Sequence, residues 1–146
     1  KNLITINING LNSAIKRKKI FHKLEKLKLD TICLQEVHIK HVQVLKHPKI
    51  GNLFTSLVQQ KKRVVSYIKN TIKAALIFTV EGIILMVEII DNNVKMVLVA
   101  IYAPNEKQEF YKKLHKKIIE LEYDNICIMG DFNAIVDTKM DYNTES

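Results

Sequence analysis

Cysteine is scarce in these 146 residues, with Cys33 and Cys127 the only two. Each lies within an apolar run, Thr31-Ile32-Cys33-Leu34 and Ile126-Cys127-Ile128-Met129, and resembles a small core residue. Buried free thiols are therefore expected, rather than a disulfide or a metal pair. That usage fits a reducing compartment, nuclear or cytoplasmic and not secreted. No apolar run approaches the roughly eighteen residues of a membrane span, so no membrane is expected as a partner. No cleavable signal is expected either, since Lys1-Asn2 leads straight into Leu3-Ile4. The chain begins on Lys rather than Met, as an excerpt of something longer would. Internal repeats, low-complexity tracts and a second-domain boundary are all lacking. One domain over residues 1–146 is expected, long enough for a sizeable core. Zinc is not expected, because no set of further ligands accompanies His38 and His41.

Acidic residues are also few, 15 against 23 lysines and arginines, for a net charge of +8. The imbalance favours anionic partners, with nucleic acid first. Apolar residues at 47% and charged residues at 26% are ordinary for a globular domain.

What is present is a series of short apolar strands that end in polar side chains. Leu3 to Ile8 reads as a strand with Asn7 among aliphatics, followed by Asn9-Gly10. The amide of Asn7 must find hydrogen-bond partners, as a structural brace or as a site residue. Ser13 can cap a helix in which Ile20, Leu24 and Leu27 recur with Phe21 alongside. Its other face carries Lys16, Arg17, Lys18, Lys19, Lys23 and further lysines, which reads as a solvated face. Thr31 to Leu34 is a short buried strand ending in Gln35 and Glu36. A glutamate at such an edge is a good hard-oxygen ligand for magnesium, which keeps several waters and needs only one or two carboxylates.

Val42 to Asn52, with Pro48 and Gly51, reads as a connecting loop. Strands are expected at Leu53 to Leu57, Val64 to Ile68 and Ala74 to Val80, with a basic turn at Gln60-Lys61-Lys62-Arg63. Gly82 to Ile90 and Val94 to Tyr102 read as a hairpin with a three-residue connection, Asp91-Asn92-Asn93. Phe110, Leu114, Ile118 and Leu121 mark one stripe of a second helix. Ile126 to Met129 then forms a strand expected to be buried on both faces and to stop at Gly130. Beyond it, continued extended geometry points Asp131 and Asn133 one way and Phe132 back into the core. An acid able to take a proton from water, beside an amide able to hold a phosphate oxygen, suits phosphodiester chemistry.

These strand ends, in order, resemble the exonuclease–endonuclease–phosphatase superfamily: Asn7 in NxNG, Glu36 in LQE, Tyr102 in IYAPN, Asp131 and Asn133 in GDFN. The stretch Ile6 to Arg17 is similar to the apurinic-type endonuclease domain of a vertebrate LINE retrotransposon. The resemblance implies an α/β fold, a DNase I-like four-layer α/β sandwich. It also implies magnesium-dependent nicking of DNA, with manganese as an alternative ion. By position, Glu36 would bind the metal and Asp131 would orient or deprotonate the attacking water. Asn133 and Asn7 would hold the phosphate, and Tyr102 would hydrogen-bond near the scissile group. The family's pattern continues to a second-half Asp and a terminal Ser-Asp-His, whereas here no His follows His115. Val37 replaces the hydroxyl residue of the usual QETH, and the family's Lys-Arg-Gly-Val turn lacks its glycine at Arg63-Val64. A truncated domain, weak or inactive alone, is therefore expected, with an exposed half-sheet open to another chain. The alternatives are a non-catalytic basic module that binds nucleic acid or a partner, and a phosphatase of the same superfamily.

Overall fold

Leu3–Asn7 forms strand β1 and Thr31–Gln35 forms β2, which pair in parallel with Asn7 opposite Gln35. Parallel neighbours need a crossover, and helix α1, Ala14–Leu27, provides it. Ser13 caps this helix as its composition predicts, its hydroxyl oxygen accepting from the Lys16 N–H at 3.3 Å. Phe21 and Leu24 are buried and Ile20 packs beside them. Leu27, expected on the same stripe, is 54% exposed. It is the last helical residue, and Lys28 turns the chain away with φ 49°.

The structure is a computed structural model that describes residues 2–39, 41–55, 64–80, 83–102 and 108–131. Within the expected connecting loop lies a short 3-10 helix, Val42–Leu45. Strands β3, Asn52–Thr55, and β4, Val64–Ile68, follow and complete a sheet of order β1-β2-β4-β3. The expected basic turn at 60–63 lies outside the described residues. The second sheet has the order β5-β6-β7-β8, from Lys73–Val80, Ile84–Asp91, Val94–Tyr102 and Ile126–Asp131. Helix α2, Gln108–Leu121, joins β7 to the parallel β8.

The β6–β7 connection is tighter than expected. Asp91 pairs with Val94, so the loop holds two residues, Asn92 and Asn93. Both take left-handed angles, φ 52° and 66°. That is the type I′ pattern, whose twist matches the flanking strands and which asparagine tolerates better than most residues. The three-residue reading fails because Asp91 still fits the ladder.

Three apolar clusters define the layers. Phe21 and Leu24 of α1 pack with Ile32, Leu34 and Tyr67 on the outer face of the first sheet. Cys33, Val64 and Ile68 pack with Leu85, Leu98 and Met129 between the sheets. Leu114 of α2 packs with Met86, Val99 and Ile128 on the outer face of the second. The alternation within β2 and β8 is thus a division between two apolar interiors, which is why both read as unbroken apolar runs. The order helix, sheet, sheet, helix is the four-layer α/β arrangement. No described helix is long and apolar enough to cross a membrane.

Candidate active site

Strand polarity decides where the polar strand ends lie. Leu3 and Thr31, at the amino ends of β1 and β2, line one cavity of about 240 Å³ together with Val94, Met96 and Cys127 from the starts of β7 and β8. All four strands therefore enter the sandwich at the same end and leave at the other. Asn7, Gln35 with Glu36, Tyr102 and the Asp131 backbone belong to that second end. In the ladders Asn7 stands opposite Gln35 and Tyr102 opposite Asp131. Reactive groups commonly sit beyond the carboxyl ends of strands in such α/β folds. The cavity itself lies at the opposite end.

Glu36 is the residue whose backbone departs most informatively from expectation. Its φ is 53° and that of His38 is 44°. Left-handed angles at a residue other than glycine cost about 1–2 kcal/mol, so neighbouring contacts must maintain them. Those contacts come from the loop after β1. The N–H groups of Ile8, Gly10 and Leu11 donate to the carbonyls of Gln35, Glu36 and Val37 at 2.9, 2.7 and 2.9 Å. The Asn12 side-chain amide donates to the His38 carbonyl at 2.9 Å. The Glu36 side chain is half-buried. Gln35 beside it is buried and donates through Nε2 to Thr5 Oγ1 at 3.2 Å.

Asn7 is exposed, and its Oδ1 accepts from the Asn9 N–H at 3.1 Å. That bond braces Asn9, which also has a positive φ of 55°. Tyr102 is half-buried at the edge of the inter-sheet core, and its N–H donates to the Ile83 carbonyl at 2.8 Å. Asp131 closes β8 in the ladder. Its side chain, Phe132 and Asn133 lie outside the described residues.

Gly130 has a different role from the one its sequence context suggests. The strand does not stop there but continues to Asp131. A Cβ on Gly130 would lie 2.2 Å from the Ile101 carbonyl oxygen and 2.8 Å from Ile101 Cγ1. Close approach to β7, not a left-handed turn, requires glycine here.

Among the described residues, no group of three or more His, Cys, Asp or Glu side chains comes together to hold a metal. A hydrated magnesium ion does not require such a cage, and the hard carboxylate oxygens of Glu36 at a strand end suit it.

Lys16 and Arg17 were expected on a solvated helix face but turn inward. Lys16 Nζ donates to the Ile8 and Asn9 carbonyls at 2.6 and 3.3 Å. Arg17 Nη1 donates to the Leu11 and Asn12 carbonyls at 2.7 and 2.9 Å. One signal of this was available. The first turn of α1 has no acidic residue, and cations there oppose the helix dipole, which suggests another use for them.

Several solved structures share this fold over nearly all of the chain. The endonuclease domain of TRAS1, a telomere-specific non-LTR retrotransposon, superposes with a TM-score of 0.71 at 13% identity, over 97% of this chain and 67% of that one. TDP2 of D. rerio, complexed with single-strand DNA product, gives 0.68 at 19% identity, over 97% and 64%. An endonuclease/exonuclease/phosphatase family protein from Leptotrichia buccalis gives 0.63 at 13% identity, over 97% and 72%. The fold is a DNase I-like four-layer α/β sandwich. No family model matches the chain. The chain spans about two thirds of the length of the TRAS1 domain and of D. rerio TDP2, 67% and 64%. At these identities the likeness is one of fold, and the DNase I-like sandwich is the part that is common.

Proposed function

We propose that this chain carries part of the active site of a divalent-metal-dependent phosphodiesterase that acts on DNA, of the LINE-retrotransposon endonuclease type, within a single domain spanning residues 1–146. The observation that supports it best is Glu36, held in a left-handed conformation at the carboxyl end of β2, the sandwich end to which Asn7, Tyr102 and Asp131 also belong. In this reading Glu36 supplies carboxylate oxygens to magnesium or manganese, and the ion neutralises charge developing on the phosphate and the leaving oxygen. Asp131 orients or deprotonates water, Asn7 and Asn133 hold the phosphate, and the Tyr102 hydroxyl donates near the scissile bond. Net charge of +8 and the retrotransposon and DNA-bound structural neighbours support a DNA substrate over a small phosphoester.

Nicking of supercoiled plasmid by the 146-residue chain with magnesium tests the reading. The 146-residue chain offers only part of the catalytic set that the resemblance implies, and partial catalytic sets commonly lose several powers of ten in rate. Activity at or near background is expected, and any residue of it should vanish in Glu36→Ala and in Asp131→Ala. Robust nicking that survives both substitutions would place the chemistry elsewhere. The excess of basic residues favours a second reading, a non-catalytic module that binds nucleic acid. It predicts unchanged DNA affinity in the same two variants and no metal dependence of binding.

A further inference from the structure

Two layers of hydrogen bonds connect the first turn of α1 to the backbone of Glu36. In the inner layer, the carbonyls of Gln35, Glu36, Val37 and His38 each accept from the 8–12 segment. In the outer layer, Lys16 and Arg17 occupy the carbonyls of Ile8, Asn9, Leu11 and Asn12. The middle segment is thereby held from both sides, the Ile8, Gly10 and Leu11 N–H groups and the Asn12 amide on the backbone of Gln35 to His38, and the carbonyls of Ile8, Asn9, Leu11 and Asn12 on two cations. The segment has strong reason to move otherwise. Asn9 and Gly10 both have positive φ, 55° and 94°, and Gly10 has nothing within 4 Å of where a Cβ would stand. Nearby packing does not explain the glycine, so its backbone is free to adopt other angles if the hydrogen bonds are lost.

We propose that Lys16 and Arg17 are positioning residues for the metal-binding carboxylate, holding Glu36 in its left-handed conformation through the residue 8–12 loop. This rests on the reading of Glu36 as a metal ligand. The charge-assisted bonds to carbonyls are stronger than neutral ones. Arg17 reaches two carbonyls from one guanidinium nitrogen, and both cations sit where the helix dipole alone would disfavour them. The cost of that placement is offset by the four carbonyls they satisfy. Loss of either side chain should let Glu36 relax to ordinary backbone angles and redirect its carboxylate.

The test measures Mn2+ affinity and amide hydrogen exchange on the 146-residue chain and its variants. Arg17→Gln and Lys16→Met should each weaken Mn2+ binding about tenfold and speed exchange at the Gly10 and Leu11 amides. Arg17→Lys should recover part of both. Lys19→Met, on the exposed face of the same helix, should change neither. Asn12→Ala, which removes the His38 bond of the inner layer, provides a milder variant if Arg17→Gln does not fold. It too should weaken Mn2+ binding. Wild-type Mn2+ affinity in Asn12→Ala and in a folded Arg17→Gln would overturn the proposal, whatever the exchange rates. Wild-type affinity in Glu36→Gln would instead overturn the metal-ligand reading, and faster Gly10 exchange in Arg17→Gln would then still show the mechanical link.

Discussion

Gly130 and Cys33 show how single positions are constrained by what lies across the sheet or between the sheets. A methyl group at Gly130 meets backbone, the Ile101 carbonyl at 2.2 Å, so no rotamer change can relieve the contact. Gly130→Ala should therefore cost about 1–3 kcal/mol, read as a lowered midpoint in chemical denaturation, with loss of order at the β7–β8 ladder. Cys33 is fully buried between the sheets, and burial pushes its thiol up to about 12. Cys127 is likewise buried, at 5% exposure. Because the thiolate is the reactive form, Cys33 should not react with a disulfide reagent at pH 8 until the chain is unfolded. Fast labelling of Cys33 in the native protein would contradict the described inter-sheet packing.

At the scale of elements, two connections carry specific and separable demands. The Asn92-Asn93 turn needs two left-handed residues, so Asn93→Val should cost about 1–2 kcal/mol without disturbing either strand's register. A thermal melt with unchanged far-ultraviolet spectrum checks it. The segment from Val42 to Gly51 is held against α1 by His47, which stacks on Phe21 with ring centroids 5.0 Å apart and bonds Glu25 at 2.5 Å. The His47 hydrogen bond, aided by nearby positive charge, holds the Glu25 carboxyl below its usual range despite partial burial. A depressed carboxylate pKa stabilises the fold above the unfolded value and loses that contribution as pH falls through the folded one. The stability difference between wild type and Glu25→Gln should therefore be full at neutral pH and shrink as the pH is taken below about 4.5. A difference that is flat from pH 7 to pH 3 would show that the pair contributes nothing through ionisation.

For the whole molecule, charge makes the strongest prediction. With a net charge of +8, DNA affinity should fall linearly in log-log terms as salt rises, with little sequence preference. A folded chain with no affinity at low salt would remove DNA as the partner. The same scale explains the position of the candidate site. Both sheets contribute parallel pairs, β1 with β2 and β7 with β8, and their shared amino-end cavity fixes a common direction. Two separate strand-and-helix units thereby present their carboxyl ends on one side of the sandwich.

Much of this was readable along the chain because it depends on near neighbours. Alternation, the Ser13 cap, the stripe from Phe110 to Leu121 and the unbroken apolar runs at Thr31 and Ile126 each reflect local geometry, and each corresponds to an element found in place. The polar ends of those strands could likewise be named from order and spacing. Other features depended on contacts between residues far apart in sequence. The left-handed angle at Glu36 is imposed by amides near residue 10, the need for glycine at 130 by the backbone of Ile101, and the inward turn of Lys16 and Arg17 by carbonyls of a folded loop. Sequence specified which residues could form strands and caps, since propensity and periodicity act within a few residues. Tertiary structure decided which strand ends meet and which backbone is strained, since those depend on how the two sheets pack.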